Sequence, residues 1–320
     1  MHETTREASD ANGPDRTAPV LDTLHRQMVR LRLVSAEMVA LQREGTIAFH
    51  ASSIGDEAVI AAVALAARPS DWVFPSVRAW GAALVRGMPL AQYMHHAFGT
   101  ASDLAKGHSA PDHPPARAYK VAPASGIPGA HLPQAVGFAW AAHIRKEPLV
   151  TFAIFDEETT TTGDFHNAMN FAGVFKAPCV MVCRSRGARA IADRAIAYGV
   201  AHATVDGGDP VALAGLLERA VARAAAGQGA ILIEAVTSAL DRAADDGKRR
   251  FGPADPLVRM PSLRDLAALE AETREEIAAA VAAARAAPKP TPATMFEDVY
   301  AEVPAHLASA REKEAVTWRR

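Results

Sequence analysis

The sequence predicts an α/β fold: a doubly wound, mostly parallel sheet with helices on both faces. Between residues 149 and 236, apolar strand segments alternate with helical segments, the order typical of βαβ units. These strand segments are continuously apolar, which indicates a parallel sheet buried on both faces. A chain of 320 residues, 49% of them hydrophobic, is long enough to bury one large core of this kind.

The alternating region is the clearest part of the pattern. Strands are predicted at 149–155, 178–184, 202–207 and 230–236, and helices at 163–175, 191–199 and 209–227. Upstream, helices are predicted at 19–45, 55–67, 78–98 (in two pieces around Gly87) and 131–146, and a short strand at 71–75. Residues 99–128 are rich in Gly, Pro, Ser and His and predict a long irregular connection.

The remaining segments complete the domain organisation. Residues 237–260 are charged and predict a loop, and helices are predicted at 262–287 and 306–316. Residues 1–18 are interpreted as a mobile tail. Residues 19–320 are interpreted as a single domain with a helical extension at its carboxyl end.

Composition and cysteine spacing indicate which binding partners and which cellular compartment to expect. A formal net charge of −2, from 34 basic and 36 acidic residues, does not favour nucleic acid or an anionic membrane as the partner. No signal peptide or membrane-spanning segment is predicted. Cys179 and Cys183 are four residues apart on one strand face, too far apart for a disulfide, which favours reduced thiols and a cytoplasmic location.

One strand-to-helix junction has an unusual composition. Residues 153–166 read AIFDEETTTTGDFH, at the type of junction where α/β proteins bind phosphate groups. Such turns favour glycine, but here Asp156, Glu157 and Glu158 occupy the turn. The segment could also be an acidic surface loop or a calcium loop, although it has few ligands at the required spacing. The RSRGAR segment at 184–189 is a candidate anion-binding loop.

Several motifs resemble the alpha subunit of thiamine-diphosphate-dependent 2-oxoacid dehydrogenases of the pyruvate and branched-chain type. They include SSIGDEA, IPGAHLPQAVG, GDFHNAMNFAGVFKAP, ILIEAVT and FEDVYAEVPAHL, in this order along the chain. The resemblance implies a thiamine-diphosphate-binding fold that binds the cofactor and Mg²⁺ at an interface with a beta subunit. It also implies that the beta subunit supplies the activating glutamate, and that a lipoyl-bearing acyltransferase core is a further partner.

The chain departs from that family at the cofactor motif. The family's Gly-Asp-Gly turn falls on Asp156, Glu157 and Glu158, and its Asn-Asn pair falls on Ser185 and Arg186. Upstream, the family's phosphate-binding arginine is retained as Arg78, but Val77 replaces the tyrosine before it. A segment that follows the Asn-Asn pair is shortened, and residues 237–245 lack the family's histidine.

Electrostatics then predict that the cofactor is lost. Each extra carboxylate about 4 Å from a diphosphate costs about 4 kcal/mol at an effective dielectric near 20, whereas micromolar affinity is only about 8 kcal/mol. We expect the Arg186 guanidinium to pair with Glu157 and replace Mg²⁺ electrostatically. Arg184 and Arg189 are expected to pair with Glu158 and Asp156 in the same way.

The leading functional hypothesis is a pseudoenzyme: an alpha-type subunit with no catalytic residue, no bound metal and a structural or regulatory role in assembly. Its degenerate cofactor site would comprise Arg78, Asp156, Glu157, Glu158, Ser185 and Arg186. Its partner would be a beta-type subunit or a second copy. Two alternatives stay open. One is an active subunit in which Glu157 or Asp156 holds the metal, decarboxylating pyruvate or a branched-chain 2-oxoacid and acylating a lipoyl domain. The other is a binder of another phosphorylated anion at 184–189.

Several polar residues receive structural interpretations. Asp164 is predicted to be a helix N-cap, and Asp206 and Asp209 are predicted to shape the turn before the next helix. The histidines near the predicted site are interpreted as core or interface residues rather than catalytic ones. These are His50, His95, His96, His131 and His166.

Overall fold

A computed structural model describes residues 18–238, 240, 252–260, 265–297 and 300–317. The predicted tail lies outside the described residues up to position 17, as does half of the predicted charged loop at 237–260. The first helix, α1, spans Ala18–Arg43. Residue 18, the last residue of the predicted tail, therefore belongs to this helix.

Five parallel strands form the sheet. They are β1 (Trp72–Pro75), β2 (Thr151–Asp156), β3 (Cys179–Ser185), β4 (Ala201–Asp206) and β5 (Ile231–Val236), in the spatial order β1-β2-β3-β5-β4. Each neighbouring pair is parallel, which confirms the predicted fold class. Because the strands are parallel, their carboxyl ends lie along one edge of the sheet.

The helices follow the predicted order. After α1 come α2 (Glu57–Ala66), α3 (Ala82–Val85), α4 (Leu90–Phe98), α5 (His131–Ile144), α6 (Gly163–Val174), α7 (Pro210–Ala225), α8 (Pro256–Arg259), α9 (Leu266–Ala286), α10 (Thr294–Glu297) and α11 (Ala305–Thr317). Short 3₁₀ segments occur at Val77–Ala79, Arg117–Tyr119, Glu157–Thr161 and Ala192–Tyr198. The last of these replaces the α-helix predicted at 191–199, and it ends at Gly199, which has a φ of 64°.

Two hydrophobic cores lie on opposite faces of the sheet. The larger packs α1, α2, α4, α7 and α9 against one face, and the smaller packs α5, α6 and the Ala192–Tyr198 segment against the other. Cys179 and Cys183 are both free and buried in the smaller core, as predicted from their spacing. None of the described helices combines the length and hydropathy needed to cross a bilayer.

The prediction that every strand is buried on both faces is wrong for β4. Along β4, half-buried residues alternate with exposed ones, whereas β2, β3 and β5 are buried almost throughout. β4 lies at one end of the sheet and pairs only with β5, and it packs on the larger core through Ala201 and Val205, which lie on one of its faces. Its exposed residues, His202, Thr204 and Asp206, are polar.

An ionic cluster buried in the larger core joins three helices. Arg32 of α1 pairs with Glu57 at the start of α2 and donates to both carboxylate oxygens of Asp255, at 3.0 and 2.9 Å. Asp255 is also the N-cap of α8, accepting from the Leu257 amide at 3.0 Å. Removing one member of such a group leaves a buried charge unpaired, so this cluster fixes how α1, α2 and α8 pack together.

We expect Gly173→Ala to destabilise the fold by about 1–3 kcal/mol, as overpacking in a core does. A Cβ at this position of α6 would lie 2.0 Å from the Tyr198 carbonyl oxygen, so α6 would be forced away from the 3₁₀ segment beside it. The control is Gly163→Ala, where a Cβ meets nothing within 4 Å and the change should stay within about 0.5 kcal/mol. Urea denaturation measures both; equal midpoints would contradict the prediction.

Candidate functional site

The acidic segment forms a compact turn at the carboxyl end of β2. It continues β2 as the 3₁₀ turn Glu157–Thr161 and leads into α6. Thr160 donates to the Glu157 carbonyl at 2.7 Å, Thr161 to the Glu158 carbonyl at 2.8 Å, and Thr162 to the Thr159 carbonyl at 2.8 Å. The threonines therefore satisfy the turn's own carbonyls, a local role typical of hydroxyl side chains.

Arg184 lies at the centre of this edge of the sheet. It is the register partner of Asp156 across the β2–β3 pair, and it is buried. Its guanidinium donates to Asp156 at 2.6 Å, to Asp56 at 3.0 Å and to the Ser76 hydroxyl at 3.0 Å. Burial opposes the charge, but the Asp156 and Asp56 carboxylates outweigh it and raise the pKa of Arg184. The result is a permanent cation held between two carboxylates.

The predicted pairing of the Arg186 guanidinium with Glu157 is wrong. That guanidinium donates to the Thr237 hydroxyl and the Ser238 carbonyl, both at 2.8 Å. Glu157 instead accepts the backbone N–H of Arg186, at 2.9 Å. The reason is strand register: the position opposite Asp156 is Arg184, inside β3, whereas Arg186 already lies beyond the end of the strand.

The other predicted site residues have different environments. Glu158 and Arg189 are exposed, and the salt bridge to Asp156 comes from Arg184 rather than from Arg189. Arg78 is half-buried and donates to the Ser52 carbonyl at 3.4 Å. Ser185 is buried. The structure therefore brings Asp156, Glu157, Ser185 and Arg186 together at the ends of β2 and β3, and the role of these residues in binding stays a prediction.

Glu234 is a site residue that the sequence interpretation missed. This buried carboxylate in β5 accepts from the Ser185 hydroxyl at 2.7 Å and from the Ile191 and Ala192 amides at 2.9 Å each. It thereby ties the end of β3 to the start of the next 3₁₀ segment across the shortened connection. The available signal was a single acidic residue in the otherwise apolar strand ILIEAV, since buried carboxylates need such partners.

The prediction that Asp164 is the N-cap of α6 is wrong. The N-cap is Thr162, whose hydroxyl accepts from the Phe165 amide at 3.2 Å, and Asp164 lies inside the first turn. Asp209 does cap α7, accepting from the Val211 and Ala212 amides. Asp206 accepts from the Gly208 amide at 2.9 Å, which confirms the predicted turn.

His131 links α5 to the same region. It lies at the start of α5, and its Nε2 donates to the Ile154 carbonyl of β2 at 3.0 Å. Its Nδ1 is buried with no hydrogen-bond partner among the described residues. Burial lowers the pKa of His131, so the imidazole is neutral at pH 7.

The other histidines have structural environments or lie at the surface. His50 Nδ1 lies 3.1 Å from Asp112, and His96 Nδ1 lies 3.1 Å from Asp103; all four side chains are buried. His95 is half-buried, 3.0 Å from the Thr100 hydroxyl. His166 is exposed and bonds Tyr198. Within the described part of the chain, no three His, Cys, Asp or Glu residues are grouped so as to hold a metal ion.

Comparisons with known proteins agree with this architecture. Residues 25–240 match the family model described as "Dehydrogenase E1 component". The 3-methyl-2-oxobutanoate dehydrogenase subunit alpha of Mycobacterium tuberculosis (strain ATCC 25618 / H37Rv) is 33% identical, over 91% of this chain and 85% of its own length. The mitochondrial 2-oxoisovalerate dehydrogenase subunit alpha 2 of Arabidopsis thaliana is 30% identical, over 91% and 68%.

Solved structures show the same fold at lower identity. The transketolase of Campylobacter jejuni aligns with a TM-score of 0.52 at 16% identity, covering 87% of this chain and 51% of that one. A transketolase of Pichia stipitis aligns with a TM-score of 0.50 at 14% identity, covering 82% and 45%. This chain therefore spans about half the length of these enzymes, and the likeness concerns the thiamine-diphosphate-binding fold alone.

The family model covers more than half of the chain. The chain therefore belongs to the dehydrogenase E1 component family. Within it, the relatives place the chain with the alpha-type subunits of the thiamine-diphosphate-dependent 2-oxoacid dehydrogenases.

His131→Gln should reduce the dependence of the free energy of unfolding on pH. The folded-state pKa of His131 is lowered, so unfolding takes up a proton below the unfolded value near 6.5. Stability therefore falls as the pH falls below about 6.5, by at most about 1.4 kcal/mol per pH unit for one group. Urea unfolding at about pH 7.5 and about pH 5.5 measures this. The parent should lose more stability than the variant, and equal losses would contradict the prediction.

Arg184→Met should destabilise the chain by about 3–5 kcal/mol, because it removes one partner of a buried ion pair with Asp56 and also the salt bridge to Asp156. Arg186→Met is the matched control. Its guanidinium is bonded only to neutral groups in the contacts described above, and the residue is exposed, so a loss below about 1 kcal/mol is expected. Similar losses in the two variants, measured by chemical denaturation, would contradict this assignment.

Proposed function

We propose that this chain is a structural or regulatory alpha-type subunit of a 2-oxoacid dehydrogenase first component that does not bind thiamine diphosphate and magnesium. It would retain the fold and its assembly surfaces and act with a beta-type chain or with a second copy. The observation that carries the proposal is the Arg184 guanidinium, held between Asp56 and Asp156.

The fit of the absent cofactor can be judged from the donors and acceptors at the edge of the sheet. A diphosphate with Mg²⁺ requires hard oxygen ligands for the metal and N–H donors for the phosphate oxygens. Here Asp156 is paired with Arg184, and Glu157 accepts the Arg186 amide. Each carboxylate thus already accepts a hydrogen bond from this chain. The turn also contains no glycine that would let backbone N–H groups approach a phosphate. These residues do not fit the group.

The charge balance supports the same proposal. A bound diphosphate near Asp156, Glu157 and Glu158 would meet like charges at short range, at a cost of about 4 kcal/mol each at about 4 Å. Arg184 offsets little of this cost, because its charge is already shared by two carboxylates. Binding would have to displace an internal salt bridge at a buried position.

The two alternative functions have less support. An active subunit requires Glu157 or Asp156 to hold a metal, but one oxygen of Glu157 accepts the Arg186 amide and one oxygen of Asp156 is paired with Arg184. An anion site at 184–189 loses its central cation, because Arg184 is buried between carboxylates. Arg189 is exposed, so an anion could interact with this loop only weakly, at the protein surface.

Titration calorimetry of the full chain with thiamine diphosphate and Mg²⁺ tests the proposal. We expect no binding tighter than about 1 mM, that is, less than about 4 kcal/mol. Binding tighter than about 10 μM that disappears when a chelator removes the metal would overturn it. A signal with inorganic phosphate alone would favour the anion-binding alternative.

A variant with the family's motif provides the matched control. It combines Asp156→Gly, Glu157→Asp, Glu158→Gly and Arg186→Asn. This change removes two carboxylates and opens the turn, so the variant should bind thiamine diphosphate with Mg²⁺ at least about tenfold more tightly than the parent. Tighter binding by the parent would count against the proposal.

A further inference from the structure

The long connection at 99–128 is irregular, yet two buried contacts hold it to the rest of the fold. Asp103 and Asp112 lie in this connection, and each carboxylate meets a histidine ring. His96 Nδ1, in the last turn of α4, lies 3.1 Å from Asp103, and His50 Nδ1 lies 3.1 Å from Asp112. All four side chains are at most 1% exposed. These two histidine–carboxylate pairs therefore fix a segment that has little regular structure of its own.

The two pairs differ at the other ring nitrogen. His96 Nε2 lies 3.1 Å from the Ala110 carbonyl oxygen, whereas His50 Nε2 lies 3.0 Å from the Ser35 hydroxyl. A hydroxyl can donate or accept, but a carbonyl oxygen only accepts. A neutral imidazole has one N–H, so His50 can donate to Asp112 and accept from Ser35. His96 faces an acceptor on each side, and both hydrogen bonds form only if both of its nitrogens carry a proton, as in the imidazolium.

The Asp103 carboxylate supplies the charge that stabilises this second proton. It also accepts from the Ala105 and Gly107 amides, at 3.0 Å each. Burial raises the pKa of Asp103, but the hydrogen bonds from His96 and from the two amides outweigh burial and hold the pKa below its usual value. The carboxyl group is therefore ionised at neutral pH. The position of His96 in the last turn of α4 also favours a cation, because the free carbonyls of a helix end carry partial negative charge.

Several basic groups around this end of α4 oppose a further positive charge. They come from α4, from the connection, from α9 and from the segment after α9: His95, Lys106, His108, Arg285 and Lys289. Lys289 donates to the Phe98 carbonyl at 2.6 Å, and Arg285 lies 6.0 Å from the Phe98 ring while pairing with Glu44 at 2.9 Å. In the part of the chain that the structure describes, Asp103 is the one charged group bonded to His96. The imidazolium therefore depends on this single carboxylate.

We propose that His96 is a pH-sensitive latch: as an imidazolium it holds residues 103–110 against the end of α4, and loss of its second proton to solvent releases them. The one N–H of a neutral ring stays with Asp103, because a hydrogen bond to an ionised acceptor is the stronger one. Nε2 then presents a lone pair to the Ala110 carbonyl, and that contact is lost. This device is separate from the proposed loss of cofactor binding.

The latched connection also contacts the helices at the carboxyl end of the chain. The Ala101 amide donates to the Pro288 carbonyl at 2.8 Å, and His108 Nε2 lies 3.1 Å from the Thr294 carbonyl. Pro288 follows α9, and Thr294 begins α10. Release at His96 should therefore loosen the link between α9 and α10 as well as residues 103–110.

Long-range proton–nitrogen NMR of the full chain measures the ring protons directly. At about pH 7, His96 should have two protonated ring nitrogens and His50 one, and His96 should lose its second proton as the pH is raised to about 9. The two signals are assigned by their loss in His96→Gln and in His50→Gln. The spectrum of the parent chain tests the proposal even where one of these variants fails to fold.

Hydrogen exchange measures the release itself. Exchange of the amides of residues 103–110 is followed by mass spectrometry and divided by the intrinsic rate at each pH. Protection in the parent should fall at least about fivefold between about pH 6 and about pH 9, the effect of losing one hydrogen bond. In His96→Gln, protection should be low throughout and independent of pH. His95→Gln is the matched control: His95 lies in the same turn against the Thr100 hydroxyl, which a neutral side chain satisfies, so this variant should behave like the parent.

Three results would each overturn the proposal. They are a single N–H on His96 at about pH 7, protection in the parent that does not change with pH, and a pH dependence that His96→Gln keeps or that His95→Gln loses equally. None of these measurements involves thiamine diphosphate, so their outcome does not depend on the proposed function.

Discussion

The salt bridges of Arg184 to Asp56 and Asp156 determine the character of the sheet's carboxyl edge. Asp56 lies immediately before α2, Asp156 ends β2, and Arg184 lies near the end of β3. One buried guanidinium therefore joins three segments that the chain brings together from distant positions. A buried guanidinium without carboxylate partners would be strongly disfavoured, so the position of Arg184 depends on its pairing with Asp56 and Asp156.

This arrangement explains the unusual turn after β2. Arg184 is bonded to Asp156, so the carboxylate at the start of the turn is neutralised within the chain. Its threonines are bonded to its own carbonyls, and its glutamate accepts an amide of the neighbouring chain segment. These polar groups at the sheet edge are thus bonded within the chain, and this observation supports the proposed assembly role.

The sequence predicted the order and type of most elements, because continuous apolar strands and helical periodicity report burial directly. It also predicted that an arginine would neutralise the acidic turn. It placed the central cation at Arg186 and expected Arg184 and Arg189 to pair with Glu158 and Asp156, since an ungapped comparison of motifs does not reveal that Arg184 is the register partner of Asp156. Glu234 and Asp56 were missed for a related reason: their partners are distant in sequence, and only the folded sheet brings Glu234 to Ser185 and Asp56 to Arg184. The exposed alternation of β4 followed from its edge position, which its composition alone did not establish.

The proposed loss of cofactor binding is tested most directly by a high-resolution crystal structure of the full chain grown with thiamine diphosphate and Mg²⁺. We expect the Arg184 guanidinium to lie within hydrogen-bond distance of both Asp56 and Asp156, with no metal between Asp156 and Glu157. A metal ion coordinated by Asp156 or Glu157, with Arg184 displaced and a diphosphate bound beside it, would contradict the proposal.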